Sequence, residues 1–184
     1  MSADRELVEA VLARRAGAFE RLVREHQGLV AHIVFRLVRD RDTVDELGQE
    51  TFLRVHRRLH QFRQDSSLKA WIGRVAYTIA LRHLEKQSAG MRIVEEAERL
   101  ERERTDEDVE SSFSEREAAA MVREAVNSLP PLQRTIVSLY HLEELSIPEI
   151  GEITGLPAGT IKSHLFRTRR QLREMLEARL GADA

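Results

Sequence analysis

The stretch from Ser146 to Arg170, SIPEIGEITGLPAGTIKSHLFRTRR, decides how the chain folds. Ser146-Ile147-Pro148-Glu149 has the spacing of a capping box. The Ser hydroxyl can accept a backbone N–H three residues on, and the Glu149 carboxylate can reach back to the Ser146 amide. Pro148 falls in the first turn, where a missing N–H costs nothing. Ile150 and Ile153 give this short helix an inner face. Gly155 suits the left-handed conformation that ends a helix, and Leu156 can plug the corner. A second helix is predicted from about Ala158 through Arg167. A short helix, a tight turn containing Gly and a second helix make a helix-turn-helix.

The second helix sorts its residues by face. Ile161, Leu165 and Leu172 fall inward. Thr160, Lys162, Ser163, Phe166, Arg167 and Arg170 fall mostly outward, and no acidic residue occurs from Thr160 to Arg173. A basic stripe of this kind suits a helix that enters a DNA major groove, meeting phosphates and guanine edges. A solvated basic face is the simpler reading of the same stripe. Upstream, Asn127-Ser128-Leu129-Pro130-Pro131 opens another helix. Its Leu132, Ile136, Val137 and Leu139 can pack beneath the reading helix, completing a small helical unit over 119–184.

Toward the N-terminus the apolar residues keep a helical period. Leu22, Leu29, Ile33 and Leu37 form one run. Val44, Leu47, Phe52, Val55 and Leu59 form a second, and Leu68, Trp71, Ile72, Val75, Ile79 and Leu84 a third. Turns are expected at Asp40–Asp42 and Phe62–Ser67. No alternating apolar–polar pattern calls for a sheet. Residues 1–87 carry an excess of base, residues 88–118 a strong excess of acid, and the remainder balances. The acidic stretch is too poor in large apolar residues to offset the entropy of ordering it. The expectation is an all-α protein of two small helical domains, 1–87 and 119–184, joined by an acidic flexible linker, 88–118.

Composition excludes several classes. The 184 residues contain no Cys, so a disulfide scaffold, a thiolate metal site and a cysteine nucleophile are all ruled out. No apolar run approaches the roughly 20 residues of a membrane span, and the first residues lack the apolar core of a secretory signal. A soluble cytoplasmic protein without membrane insertion is expected. His56 and His60 share a helix face, but two histidines fall short of the three protein ligands usual in catalytic zinc sites. No Gly-rich phosphate loop or local Ser/His/Asp set appears. No enzymatic activity, cofactor or metal is expected.

The string Asp45-Glu46-Leu47-Gly48-Gln49-Glu50-Thr51-Phe52-Leu53-Arg54-Val55, followed by Phe62-Arg63 and Trp71-Ile72-Gly73-Arg74-Val75-Ala76, resembles region 2 of bacterial sigma factors. Leu129-Pro130-Pro131 with Arg134, and then Gly159-Thr160-Ile161-Lys162-Ser163-His164-Leu165, resembles region 4. The likeness is to the small extracytoplasmic-function type of the sigma-70 family, which keeps only these two regions. It implies a factor that binds core RNA polymerase, directs it to promoter DNA and aids melting, and that an anti-sigma factor holds in check. The rival reading is a stand-alone helix-turn-helix regulator.

The resemblance also implies roles for residues. Asp45, Glu46, Gln49 and Glu50 would dock on the clamp coiled coil of the polymerase β′ subunit; a solvated acidic face is the other reading of those residues. The polymerase β subunit is a further expected contact. The loop Phe62–Ser67 would hold a base flipped from the melted strand. Arg63, Ser66, Ser67, Lys69, Trp71, Arg74, Thr78 and Arg82 would read the −10 element, with Tyr77 among the candidates of that helix. For Trp71 and Phe62 a core role competes with a stacking role. Thr160, Lys162, Ser163, Phe166, Arg167 and Arg170 would enter the major groove at the −35 element. Thr78 stands where the family usually has Asn, and Gly48 interrupts the docking helix at a position usually apolar.

Overall fold

The computed structural model describes residues 3–63, 65–94 and 115–182. Among the described residues it is built of helices and connecting turns, without a strand. The N-terminal part holds α1 (Ala3–Leu12), α2 (Ala18–Val38), α3 (Arg41–Arg58), a 3₁₀ turn at Leu59–Gln61 and α4 (Leu68–Val94). The C-terminal part holds α5 (Glu115–Ser128), α6 (Pro131–His141), α7 (Ile147–Thr154) and α8 (Ala158–Ala182).

The periodic residues form the core. Leu22, Leu29, Ile33 and Leu37 of α2 are buried, as are Leu47, Val55 and Leu59 along the α3 run and Leu68, Ile72 and Ile79 of α4. Val44, Phe52, Trp71, Val75 and Leu84 pack against that core from its edges. A fully buried side chain of this size contributes about 1.5–3 kcal/mol, so these runs decide which faces turn inward. The first expected turn is tighter than its sequence suggests. Arg39 closes α2 in the left-handed conformation (φ 63°), and Asp40 already caps α3 by accepting the Thr43 N–H at 2.8 Å. Asp42 therefore lies inside the first turn of α3, where its charge favours the helix dipole. The second turn, Phe62 to Ser67, is non-helical where described. Ser67 then caps α4, its Oγ accepting the Ala70 N–H at 3.1 Å, while Asp4 of α1 accepts the Leu68 N–H at 3.0 Å. Helix α4 runs to Val94, beyond the boundary expected at residue 87. Residues 95–114, most of the expected linker, lie outside the described residues.

In the C-terminal part the capping box is complete. Ser146 Oγ accepts from the Glu149 N–H, and Glu149 accepts the Ser146 N–H at 2.9 Å. Gly155 ends α7 at φ 77°, its N–H meeting the Gly151 carbonyl at 2.8 Å. Pro131 opens α6 at its first turn, and Ile136, Val137 and Leu139 are buried beneath α8.

The two parts share one hydrophobic core running from Leu7 to Leu165. Helix α7 lies on α4, and α6 lies on α2. Gly73 makes the first contact possible: a Cβ there would sit 2.9 Å from Ile153 Cδ1. Arg134 makes the second, its Nε donating to the Arg36 carbonyl at 2.6 Å.

Candidate nucleic-acid and polymerase interfaces

Three surfaces carry many of the residues singled out from the sequence. The first is the outer face of α8. Lys162, Ser163, Arg167 and Arg170 are exposed, Thr160 is half-buried, and Phe166 stands 72% exposed, an unusual posture for a Phe. Ile161 and Leu165 point inward, so the capped α7 holds α8 with this face outward. Partners differ along the stripe. Arg170 Nε donates to Glu174 at 2.8 Å, which raises its pKa, and the Ser163 hydroxyl donates to the Gly159 carbonyl at 3.0 Å. Arg167 makes no ion pair among the described residues. Arg169 serves the fold: its guanidinium lies 5.3 Å from the Tyr140 ring centroid and donates to His141 at 3.3 Å, tying α8 to α6. Thr168, not anticipated from the sequence, is buried on the inner face. Its place in the series 161, 165, 168, 172 is the helical signal that marks it.

The second surface is a groove between the end of α3 and α4, about 200 Å³ in volume. Arg54, Arg58, Trp71, Arg74, Thr78 and Arg82 line it, together with Gln61, which sequence reasoning missed. Trp71 is half-buried, its ring 5.6 Å from that of Phe62, so it serves core and groove together. The Thr78 hydroxyl donates to the Arg74 carbonyl at 2.8 Å, which occupies its proton. Four guanidinium groups around an aromatic edge suit phosphates and a stacked base.

The remaining −10 candidates go elsewhere. Arg63 is exposed and Ser66 half-buried, both outside the groove lining. Ser67 Oγ reaches Glu149 at 3.3 Å, and Lys69 Nζ donates to the Glu143 carbonyl at 3.3 Å and lies 3.8 Å from its carboxylate. Both side chains thus face the C-terminal part. Tyr77 is buried, and burial pushes its phenol pKa up, so it faces the core and not the groove.

The third surface is an apolar groove of about 710 Å³ between α2 and α3. Phe19, Val23, Phe52 and Leu53 form its walls, with Leu53 59% exposed. Gly28 and Gly48 also line it, and a Cβ at either meets nothing within 4 Å. Gly48 therefore keeps the groove open. Asp45 and Gln49 line it too. Glu46 and Glu50 are exposed but lie outside the lining, and Glu50 pairs with Arg54 at 2.7 Å, on the side of the basic groove. The four polar residues of the docking string thus divide between two faces of α3. His56 of the same helix packs edge-on against Phe19, ring centroids 4.8 Å apart.

The chain has counterparts among known proteins. Residues 22–90 match the family model for Sigma-70 region 2, and residues 119–172 match the model for Sigma-70, region 4. The RNA polymerase sigma-H factor of Pseudomonas aeruginosa is 31% identical over 183 residues, covering 95% of this chain and 94% of that one. The ECF RNA polymerase sigma-E factor of Escherichia coli K12 is 33% identical over 177 residues, covering 92% of each. Among solved structures, CnrH in complex with the cytosolic domain of CnrY superposes with a TM-score of 0.67 at 22% identity, over 96% of this chain and 99% of CnrH. The sigma factor RpoE of Bartonella quintana, in complex with the anti-sigma factor NepR, gives 0.65 at 23%, over 88% and 98%. These two establish the shared fold. A stand-alone helix-turn-helix regulator would leave the matched region 2 unexplained. Identity sustained over nearly the full length of curated relatives, through both regions in order, makes the chain a member of the extracytoplasmic-function sigma factors, transcription initiation factors that bind core RNA polymerase and bring it to promoter DNA.

Proposed function

We propose how the three surfaces divide this work. The α2–α3 groove takes the clamp coiled coil of the β′ subunit, with Asp45 and Gln49 at its edge and Glu46 and Glu50 supplying steering charge beside it. An apolar trough gives the anchor and the carboxylates set orientation and on-rate. The basic groove follows the melted −10 strand. Arg74, Arg82, Arg54 and Arg58 meet phosphates, Trp71 offers an edge for stacking, and Thr78 lies alongside. Arg63 and Ser66 complete the reading, joined by Ser67 and Lys69 once these two let go of Glu149 and Glu143. The face of α8 enters the −35 major groove with Thr160, Lys162, Ser163, Phe166, Arg167 and Arg170, while the second domain also contacts the β subunit.

In this reading 1–87 acts as the −10 and polymerase-docking domain, 88–118 as an acidic tether and 119–184 as the −35 domain. The chain does no bond chemistry and needs no cofactor or metal; the polymerase supplies the catalysis. It works in the cytoplasm, where polymerase and promoters are, without inserting into a membrane. No described helix is long and apolar enough to cross one. An anti-sigma factor, of the kind bound to the Bartonella RpoE, is the expected inhibitor.

The observation that carries the division is the arrangement on α3, with an apolar groove on one side and an arginine-lined groove on the other. The test is core capture by a variant with Asp45→Lys and Gln49→Lys. Both side chains are exposed, so the fold survives. Loss of capture with unchanged helix content supports the docking assignment, and normal capture overturns it.

A further inference from the structure

Helix α1 precedes residues 22–90, the part that matches region 2, yet it reaches both elements that wall the basic groove. Its Leu7, Val8 and Val11 are buried in the core, and the helix packs on α2 and on the 3₁₀ turn Leu59–Gln61. Gln61 of that turn lines the groove on the α3 side. On the other side stands α4, whose first amide, the Leu68 N–H, donates to the Asp4 carboxylate at 3.0 Å. Asp4 is half-buried and lies 64 residues away in sequence.

The first amides of a helix find no acceptor within it. Ser67 Oγ takes the Ala70 N–H at 3.1 Å, and Asp4 takes that of Leu68. A carboxylate at this end also meets the positive pole of the helix dipole. Helix α4 presents Trp71, Arg74, Thr78 and Arg82 along the groove, so a shift or rotation at Leu68 is carried first to Trp71 and then to the residues behind it. The same corner is tied twice more. The Phe62 N–H donates to the Leu59 carbonyl at 3.1 Å, and the Phe62 ring lies 5.6 Å from that of Trp71. Helix α1 thus grips the 3₁₀ turn and the start of α4 together.

We propose that α1 belongs to the −10 reading machinery, with Asp4 as a positioning residue that fixes the start of α4 and so the spacing of the groove walls. This rests on the assignment of the basic groove to the −10 strand. Asp4 acts through α4 and needs no contact with DNA. Binding groups must be held to within about 0.5 Å to discriminate between ligands, and a helix start freed from its acceptor no longer meets that requirement.

The test uses the full chain with core polymerase on a linear promoter duplex. The promoter is taken from start sites mapped on genomic DNA, and each base pair of its downstream element is replaced in turn. Discrimination is the ratio of transcription from the intact element to that from the substituted ones. Asp4→Ala removes the acceptor, whereas Asp4→Asn keeps an oxygen in its place. Asp4→Ala should lower discrimination several-fold, with core capture and the response to upstream-element substitutions unchanged. Asp4→Asn should restore most of the loss. Hydrogen exchange of the peptide that opens α4, read by mass spectrometry on the free chain, should be faster in Asp4→Ala and near wild type in Asp4→Asn.

Unchanged exchange in Asp4→Ala overturns the clasp. Faster exchange with unchanged discrimination overturns its part in reading. An equal loss on every template and in core capture, with a lowered Tm, makes Asp4 a stabilising residue only and also overturns the proposal. Arg74→Ala separates this role from the groove assignment. If Arg74→Ala leaves the downstream element read as before, the groove is not the −10 site and the role of Asp4 falls with it. If Arg74→Ala disturbs reading while Asp4→Ala does not, the groove assignment stands and the role of Asp4 alone is lost.

Discussion

Replacing Arg134 with Met keeps the length and apolar stem of the side chain and removes the guanidinium. Three carbonyls then lose a donor: Arg36 at 2.6 Å, Asn127 at 3.0 Å and Leu129 at 3.3 Å. Hydrogen bonds from a charged donor are worth about 1.5–3 kcal/mol each. The gain is reduced because burial opposes the charge, strongly enough, with Arg39 and Arg36 nearby, to lower the Arg134 pKa to about 10. A net loss of about 3 kcal/mol is expected, a large share of the 5–15 kcal/mol typical of a domain. At this chain length it corresponds to a fall in Tm of about 10 °C. Arg134→Lys restores the charge without the planar fork and should recover about 1 kcal/mol of the loss. Urea and thermal unfolding followed by circular dichroism measure both variants. A loss below about 0.5 kcal/mol, ordinary for a surface substitution, would refute the reasoning that this guanidinium joins two helix ends.

Filling the α2–α3 groove by Gly48→Leu should stabilise α3 by up to about 1 kcal/mol, since Gly is a poor helix former and a Cβ at this position meets nothing within 4 Å. It should also abolish core capture, and the opposed signs in melting and pull-down assays separate docking from folding. Arg167→Ala should weaken −35 binding and, if the contact is to phosphate, flatten its salt dependence by about one counterion; unchanged binding in a salt titration would remove Arg167 from the interface. Burial holds the His26 and His32 imidazoles below the usual 6.5. The unfolded chain therefore takes up those protons first, so stability is greatest above pH 6.5, falls as pH drops through it, and levels once the folded histidines also protonate. Urea midpoints between pH 5 and 8 should follow this slope, and His26→Phe should flatten it. Ser146→Ala removes the cap of α7 and should cost about 1 kcal/mol in the same unfolding assay.

Local structure was legible wherever one segment contains all its partners. The Ser146–Glu149 spacing specifies its capping box, Gly155 its left-handed stop, and the apolar periods the buried faces of α2, α3 and α4. What lay hidden depends on distant partners. Gly73 within a helix signals a close approach, but nothing nearby identifies Ile153. Arg134 finds a carbonyl 98 residues away, and backbone carbonyls carry no sequence signature. Lys69 and Ser67 carry no local sign that Glu143 and Glu149 of the second part will be their partners. Other features were within reach. Glu50 and Arg54 are four apart, the spacing of a helix ion pair, which separates Glu50 from Asp45 and Gln49. The same periodicity places Thr168 inside and Tyr77 on the buried side of α4.

Transcription by purified core polymerase on fragmented genomic DNA, with and without this chain and with every start site mapped, bears most directly on its role. Addition of the chain should produce a discrete new set of starts, each preceded by the same two separated sequence elements. Arg167→Ala should lower use of those starts most where the upstream element matches best. A start-site profile identical to that of core polymerase alone, from a chain shown to be folded, would contradict that role.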